Sequence, residues 1–350
     1  LFLLFNQVVT PFMEFLRLWA NVPNNQFYNQ LVRSKKMIKV SVVVPIYNVE
    51  KYLDKCLYHL VNQTLQDIEI ICVNDGSTDQ SQIIIDRYIK NYPDKVKGYT
   101  KENGGLSDSR NFGFQYVSGE FVMFSDSDDW IELDCLERMY AKAVGGQYDI
   151  VVCGMRNVNE HGTDLGSFAL FDTPEITKEQ LLVESNSATN LLFKKEILND
   201  IQFPVGIWYE DLATIPRIIA KCDKIGVVRE SFYNYLYRSD SITRTYNKKV
   251  LDILIAFDYI TSCNKYSDTF IRQLFSTHIY FTILRANQIE NKEEQFLVLE
   301  QLYNYVKQQF GIDSLKSSIT YSGLNEKMLM SMFFKHQFKA LMLILTAEWK

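Results

Sequence analysis

An open α/β sheet followed by a helical region is the fold class this chain predicts, and three observations carry it. Between Ile38 and about Val152, short β-branched runs alternate with stretches of helical periodicity, the pattern of βαβ units and a mostly parallel sheet. Three chemically loaded segments, Tyr47-Asn48, Asn74–Asp79 and Ser125–Asp129, each follow an apolar run, where sites in such sheets collect outside the carboxyl ends of strands. From about Lys248 onward Gly and Pro become scarce and helical spacing takes over.

The elements follow in order. KVSVVVPI (39–46) reads as a buried strand ended by Pro45. EKYLDKCLYHLVNQ (50–63) has apolar residues at helical spacing, and IEIICV (68–73) is the second strand. DQSQIIIDRYIKNY (79–92) predicts a helix stopped before Pro93. A short strand near 96–99, the loop KENGG, a helix over 107–117 and the strand EFVMF (120–124) come next. LDCLERMYAKAV (133–144) is helical and YDIVVCG (148–154) is a strand. Residues 155–205, with Gly162, Gly166, Pro174 and Pro204, read as irregular apart from a helix near 177–184. IWYEDLATIPRIIAK (207–221) reads as a loop entering a helix, and 225–237 as a strand rich in Val, Phe and Tyr. The expected organisation is an extension over 1–36, an α/β domain over 37–247 and a helical domain over 248–350, without repeats or low-complexity segments.

Composition narrows the function classes. With 350 residues, 47% hydrophobic and 14% aromatic, the chain can bury a large core, which excludes a disordered protein. A net charge of -5 gives no global case for nucleic acid, so an anionic ligand needs a local site. The six cysteines form no CxxC or Cys/His cluster and read as free thiols of a reducing compartment, without zinc. The first residue is Leu1, while Met37 directly precedes IKVSVVVPIYN; this predicts a native start near Met37. The stretch LFLLFNQVVTPFM is short for a membrane span and lacks the basic region of a signal peptide, leaving an interfacial helix as the alternative.

GEFVMFSDSDDW poses the chemical question. Asp126, Asp128 and Asp129 follow an apolar strand, and two carboxylates about 5 Å apart repel by roughly 3 kcal/mol at an effective dielectric of 20. Asp126, Asp128 and Glu137 fall at positions one, three and twelve of an EF-hand loop, but Trp130 and Ile131 stand where that loop needs an oxygen ligand and then glycine. Trp130 also replaces the threonine of a DxDxT phosphatase motif. A solvated acidic turn is the plain structural reading; a hard dication, Mg²⁺ or Mn²⁺, completed by substrate phosphates is the functional one.

NDGSTD (74–79) makes a turn and a helix cap, which leaves Asp75 available to accept from a nucleobase N–H. ENGGLSDSRNFG (102–113) suits backbone approach to an anion, with Arg110 as a diphosphate or carboxylate partner. GxGxxG and GxxxxGK[ST] are absent, so neither a dinucleotide fingerprint nor a P-loop is present. Glu210 and Asp211 fit helix N-terminal acids and equally a general base whose pKa Trp208 and Tyr209 raise. Arg238 and Arg244, beside Ser241 and Thr243, suit a polar strand end or a clamp on a leaving phosphate.

Taken together, SVVVPIYN, VNDGSTD, ENGGLSDSRNFG, FSDSDDW, WYEDL and YRSDSIT occur in the order and at about the spacing of family 2 glycosyltransferases of the GT-A fold. The resemblance covers Ile38 to Thr245 and looks most like bacterial enzymes that build cell-surface polysaccharides. It implies a nucleotide-diphosphate sugar donor, usually UDP-linked, and an inverting single displacement onto a glycan or lipid-linked acceptor. Pro45, Tyr47 and Asn48 would line the nucleotide pocket, Asp75 would accept from the uracil, and Asn103, Gly104 and Arg110 would flank the ribose and diphosphate. Asp126 and Asp128 match the DXD pair that binds Mn²⁺ or Mg²⁺, Asp128 as direct ligand, with Asp129 facing the donor sugar or acceptor. Asp211 matches the catalytic base, and Arg238 joins the donor contacts. Asn74 and Ser109 depart from the common pattern without removing an essential charge.

The helical tail lies outside that resemblance; its end FFKHQFKALMLILTAEWK suggests either packing on the catalytic domain or peripheral contact with the inner face of the membrane. The rival class is a catalytically silent nucleotide-sugar or glycan-binding module, against which intact Asp126, Asp128 and Asp211 argue. A nucleotidyltransferase would need a glycine- and lysine-rich phosphate loop near the first strand, which is missing.

Overall fold

The run VSVVVPI forms β1 (Val40–Ile46), buried along its whole length, as a β-branched strand covered on both faces must be. It runs one residue past Pro45, because a missing N–H at the penultimate position costs at most one ladder bond. The computed structural model describes residues 37–238, 246–319 and 323–348, so the expected extension over 1–36 and the clamp residue Arg244 lie outside the described residues.

The chain continues through α1 (Glu50–Val61), β2 (Ile68–Asn74), α2 (Ser81–Asn91), β3 (Val96–Thr100), α3 (Leu106–Phe114), β4 (Phe121–Phe124), β5 (Trp130–Ile131), α4 (Cys135–Gly146) and β6 (Ile150–Asn159). The stretch over 155–205 holds the expected helix as α5 (Lys178–Glu184) and, where it was expected to be irregular, β7 (Asp164–Phe168), β8 (Glu175–Ile176), β9 (Leu191–Lys194) and α6 (Lys195–Leu198). Then come α7 (Glu210–Ile219) and β10 (Ile225–Tyr237), and after a 3-10 turn the helices α8 (Asp252–Ser262), α9 (Asp268–Asn287), α10 (Lys292–Gln309), α11 (Ile312–Ser318), α12 (Leu324–Phe334) and α13 (Phe338–Glu348).

The strands form one mixed sheet in the order β3-β2-β1-β4-β9-β6-β10-β5, with β7 beside β6 and β8 beside β10. β1, β2, β3 and β4 are mutually parallel. β9 runs antiparallel to both β4 and β6, so β6 and its parallel partner β10 point the same way as β4. The carboxyl ends of β1, β2, β4 and β10 therefore share one edge, with β1 at the switch between β2 on one side and β4 on the other.

Period-two alternation sends Val40, Val42, Val44 and Met123 to a face covered by α1 and α4, and Val43, Val73, Val122 and Phe124 to the opposite face. The second face shares a single apolar core with α7 and with the C-terminal helices, through Ile253, Phe257, Phe275 and Phe333. A Cβ on Gly113 would come 2.6 Å from Val43, so glycine lets α3 lie close on β1 and β2 and carry Arg110 to the edge. All six cysteines are free, five of them buried.

Candidate active site

The turn after β2 builds one side of the cleft. Gly76 has φ +72°, and Asp75 is 2% exposed. Its carboxylate accepts from the N–H groups of Gly104 and Gly105 at 3.0 and 2.7 Å and from Lys101 Nζ. The Asn103 amide donates to the Asp75 carbonyl at 3.0 Å, and Lys101 also pairs with Asp108 at 2.6 Å. Burial alone would raise the Asp75 pKa, but Lys101 and the two backbone donors hold it below the usual carboxylate range. Lys101, the first residue of the loop KENGG, thus has a role that its local sequence does not signal.

On β1's exit Pro45 is buried, Tyr47 is 49% exposed, and Asn48 adopts φ +50°. The Asn48 side-chain Oδ1 accepts from Thr78 N–H at 2.8 Å, and its backbone N–H donates to Ser77 Oγ at 3.1 Å. Exposed Asn103 and half-buried Gly104 lie on the loop that Asp75 holds.

The other side is crowded with acid. Arg110, 1% exposed, donates through Nη2 to Asp126 at 2.9 Å and through Nη1 to Asp211 at 2.7 Å and Glu210 at 3.3 Å; its guanidinium lies 5.1 Å from the Phe203 ring centre. Of its two expected partners, diphosphate or carboxylate, the buried fork meets the second: it is taken up by three carboxylates. Asp129 is turned inward, 2% exposed and accepting from Tyr233 Oη at 2.8 Å and Leu236 N–H at 2.7 Å. Tyr233 Oη also accepts from Asp126 N–H at 3.2 Å, tying the acidic loop to β10; a lone tyrosine in a strand gave no sequence signal for this role. Asp126 and Asp128 keep side chains 29% and 22% exposed, and Arg238, just past β10, pairs with Asp128 at 3.0 Å.

Glu210 and Asp211 open α7 after Tyr209, a residue at φ +62°. Asp211 Oδ2 accepts from Ala188 N–H at 3.1 Å. Burial and the neighbouring Asp211 charge push Glu210 up to about 7 against the pull of Arg110. Burial also raises Asp211, opposed by Arg110 and reinforced by Asp126. Burial, then Asp128 and Asp126, lifts Asp129 well above its ordinary value. Trp208 and Tyr209, expected beside the base, carry Arg285 over their rings at 5.7 and 5.4 Å.

Among the described residues no three His, Cys, Asp or Glu side chains cluster as a cation cage. A dication held here would draw on the partly exposed carboxylates of Asp126 and Asp128 and take its remaining oxygens from a ligand. That donor set fits Mg²⁺ or Mn²⁺, which bind through one or two carboxylates plus phosphates.

Similarity to known proteins supplies the family. The description Glycosyl transferase family 2 matches residues 41–202. Glycosyltransferase GlyG of Streptococcus pneumoniae is 33% identical over 248 residues, covering 62% of this chain and 81% of that protein. The chain belongs to glycosyl transferase family 2. A second relative, the poly(ribitol-phosphate) beta-glucosyltransferase of Bacillus spizizenii, is 36% identical over 213 residues, 58% of this chain. The chain spans 33% of the length of that enzyme and of a further pneumococcal relative. The crystal structure of Staphylococcus aureus TarS residues 1–349 in complex with UDP-GlcNAc superimposes with a TM-score of 0.70 over 88% of this chain and 91% of that one at 21% identity, which establishes the shared fold. This member of the family is thus related to glycosyltransferases of teichoic acid and polysaccharide synthesis, and its fold has the expected GT-A character with a helical C-terminal region.

Proposed function

We propose that this glycosyltransferase moves a sugar from a UDP-linked donor, with inversion, to a hydroxyl of a cell-surface glycan or lipid-linked saccharide. The observation that carries the reading is the Arg110 guanidinium, bonded to Asp126 at 2.9 Å and to Asp211 at 2.7 Å. One side chain spans the loop that would meet donor diphosphate and the carboxylate that would meet the acceptor, the adjacency a single displacement needs. Asp211, raised by burial, would accept the acceptor proton as its oxygen attacks the anomeric carbon, while Arg110 holds the carboxylate in place.

Asp128 and Asp126 would hold Mn²⁺ or Mg²⁺, whose contribution is to neutralise charge on the departing diphosphate. Tyr47, Asn48 and the Asp75-held loop at Asn103 and Gly104 would shape the nucleotide pocket, and Arg238 would reach the diphosphate. UDP is favoured because TarS, which shares the fold, is seen with UDP-GlcNAc. A surface-polymer acceptor is favoured by the relative that acts on poly(ribitol-phosphate).

No helix among the described residues is long and apolar enough to cross a membrane. We assign peripheral contact at the inner membrane face to α10 and α13, where exposed Leu297 and Leu343 lie beside Lys292 and Lys339.

The test is UDP release from UDP-GlcNAc and a panel of other UDP-sugars with a cell-wall polymer as acceptor. Asp211→Asn is expected to lose about 10³-fold in turnover, as for removal of a general base, while UDP still protects the variant against thermal unfolding. Undiminished transfer by the Asn variant would reject Asp211 as base.

A further inference from the structure

Both aspartates expected to meet a dication already carry an arginine, but the two arginines differ. Arg110 is 1% exposed and bonded to Asp126, Glu210 and Asp211 together, so its departure would strand three carboxylates. Arg238 is 19% exposed, sits one residue beyond β10 at the rim, and lies with its guanidinium 5.2 Å from the Tyr52 ring centre while Nη2 holds Asp128 Oδ2 at 3.0 Å. Asp128 itself is only 22% exposed, and the oxygen it presents to Arg238 belongs to the carboxylate that a dication would need.

We infer that Arg238 is a displaceable counter-ion of Asp128, a residue that sets when the cation binds. Without donor its guanidinium neutralises the carboxylate and competes with any dication for it. When the nucleotide arrives, the diphosphate offers Arg238 a new anionic partner of matching geometry, Asp128 is released, and cation and nucleotide bind as a coupled pair. The inference rests on the metal-assisted reading above and deepens it: the cation would bind weakly alone and tightly only with the diphosphate. By linkage, the cation strengthens nucleotide binding by the same factor.

Free Mn²⁺ measured by its electron paramagnetic resonance signal, on the full chain with and without UDP, tests this without any turnover. Arg238→Ala is expected to bind Mn²⁺ alone about tenfold more tightly than the wild type, and the gain in Mn²⁺ affinity conferred by UDP should shrink by about tenfold. Asp128→Asn should abolish the difference between the two backgrounds. Arg238→Lys, which keeps one charge but loses the fork, should move both quantities the same way by a smaller factor; it also serves if thermal unfolding shows the Ala variant to be misfolded. Unchanged or weaker binding of Mn²⁺ alone in the Arg238 variants, with UDP-dependent binding intact, would overturn the counter-ion role and leave the metal reading standing. Absence of Mn²⁺ binding by the wild type even with UDP would overturn the metal reading itself, and this inference with it.

Discussion

The two walls of the cleft solve opposite electrostatic problems. At the turn after β2, one buried carboxylate, Asp75, meets a lysine and two backbone N–H groups and is held below its ordinary pKa. Across the edge, Asp126, Glu210 and Asp211 share the guanidinium of Arg110, Asp128 pairs with Arg238, Asp129 is held by Tyr233 and the Leu236 N–H, and Asp129, Glu210 and Asp211 are raised. The first wall is complete as it stands; the second retains a negative surplus that a cation would relieve. A finished wall suits shaping a pocket, and a charge-strained one suits binding a cation and moving a proton.

The sharpest way to break this contrast is to remove the charge that holds the acidic wall. Arg110→Met takes one guanidinium from three carboxylates and is expected to cost about 3–5 kcal/mol, the range for breaking a buried ion pair from one side. Because the stranded carboxylates can take up protons, the loss should be larger at pH 8 than at pH 5.5. Urea unfolding at both pH values measures it, and a pH-independent cost below 1 kcal/mol would mean that Arg110 is not the wall's counter-charge.

On the finished wall, Asp75→Asn replaces an acceptor of three hydrogen bonds by a group with one oxygen and an unwanted donor. The expected cost is about 1–3 kcal/mol, with Asp75 only 3% exposed on its side chain. Asp75 itself titrates in the opposite sense to the raised acids Glu210 and Asp211. The folded-state pKa of Asp75 is depressed, so its stabilisation is present above the unfolded carboxyl value near 3.9 and is lost as pH falls through the folded value. Acid titration of the wild type and the Asn variant should therefore converge at low pH; parallel curves would show that Asp75 is not held ionised by its loop.

The same contrast explains what was legible beforehand. β1, β2 and β4 announce themselves by local β-branched runs, and parallel topology then brings their ends together. β9 is only four residues long, and nothing local shows that LLFK slips between β4 and β6 as an antiparallel strand. Asp75 and Asp126 were visible as unexplained acids. Their partners were not, because Lys101 reaches Asp75 only once the loop closes, and Arg110 meets acids 16, 100 and 101 residues away. Motif spacing finds the groups that chemistry requires; charge balance is a long-range property of the folded edge. That Arg110 and Asp129 are both interior is a property of the same kind, which no local pattern announces.

The smallest expected effect separates two readings of Glu210 by its sign. As a simple helix N-terminal acid it would complement the dipole, and Glu210→Gln would destabilise by about 0.3–1 kcal/mol at pH 8. As a crowded acid it sits at about 7 in the folded chain, against about 4.3 when unfolded. The folded state then binds more protons between those values, so the contribution of Glu210 is full below the unfolded value and lost as pH rises through about 7. A neutral glutamine escapes that loss. Shared titration with Asp211 and partial exposure reduce the gain, leaving Glu210→Gln more stable than wild type by about 1 kcal/mol at pH 8. That is a rise in melting temperature of about 2 °C for a chain of this size. At pH 4, below the unfolded value, where the carboxyl is mostly protonated in both states, the two should melt together. Arg110 keeps Asp126 and Asp211 in the variant, so no guanidinium is orphaned and the sign reports the acid's own environment. A lower melting temperature for the variant at pH 8 would place Glu210 with the ordinary helix-capping acids and confine the strained wall to Asp126, Asp128, Asp129 and Asp211.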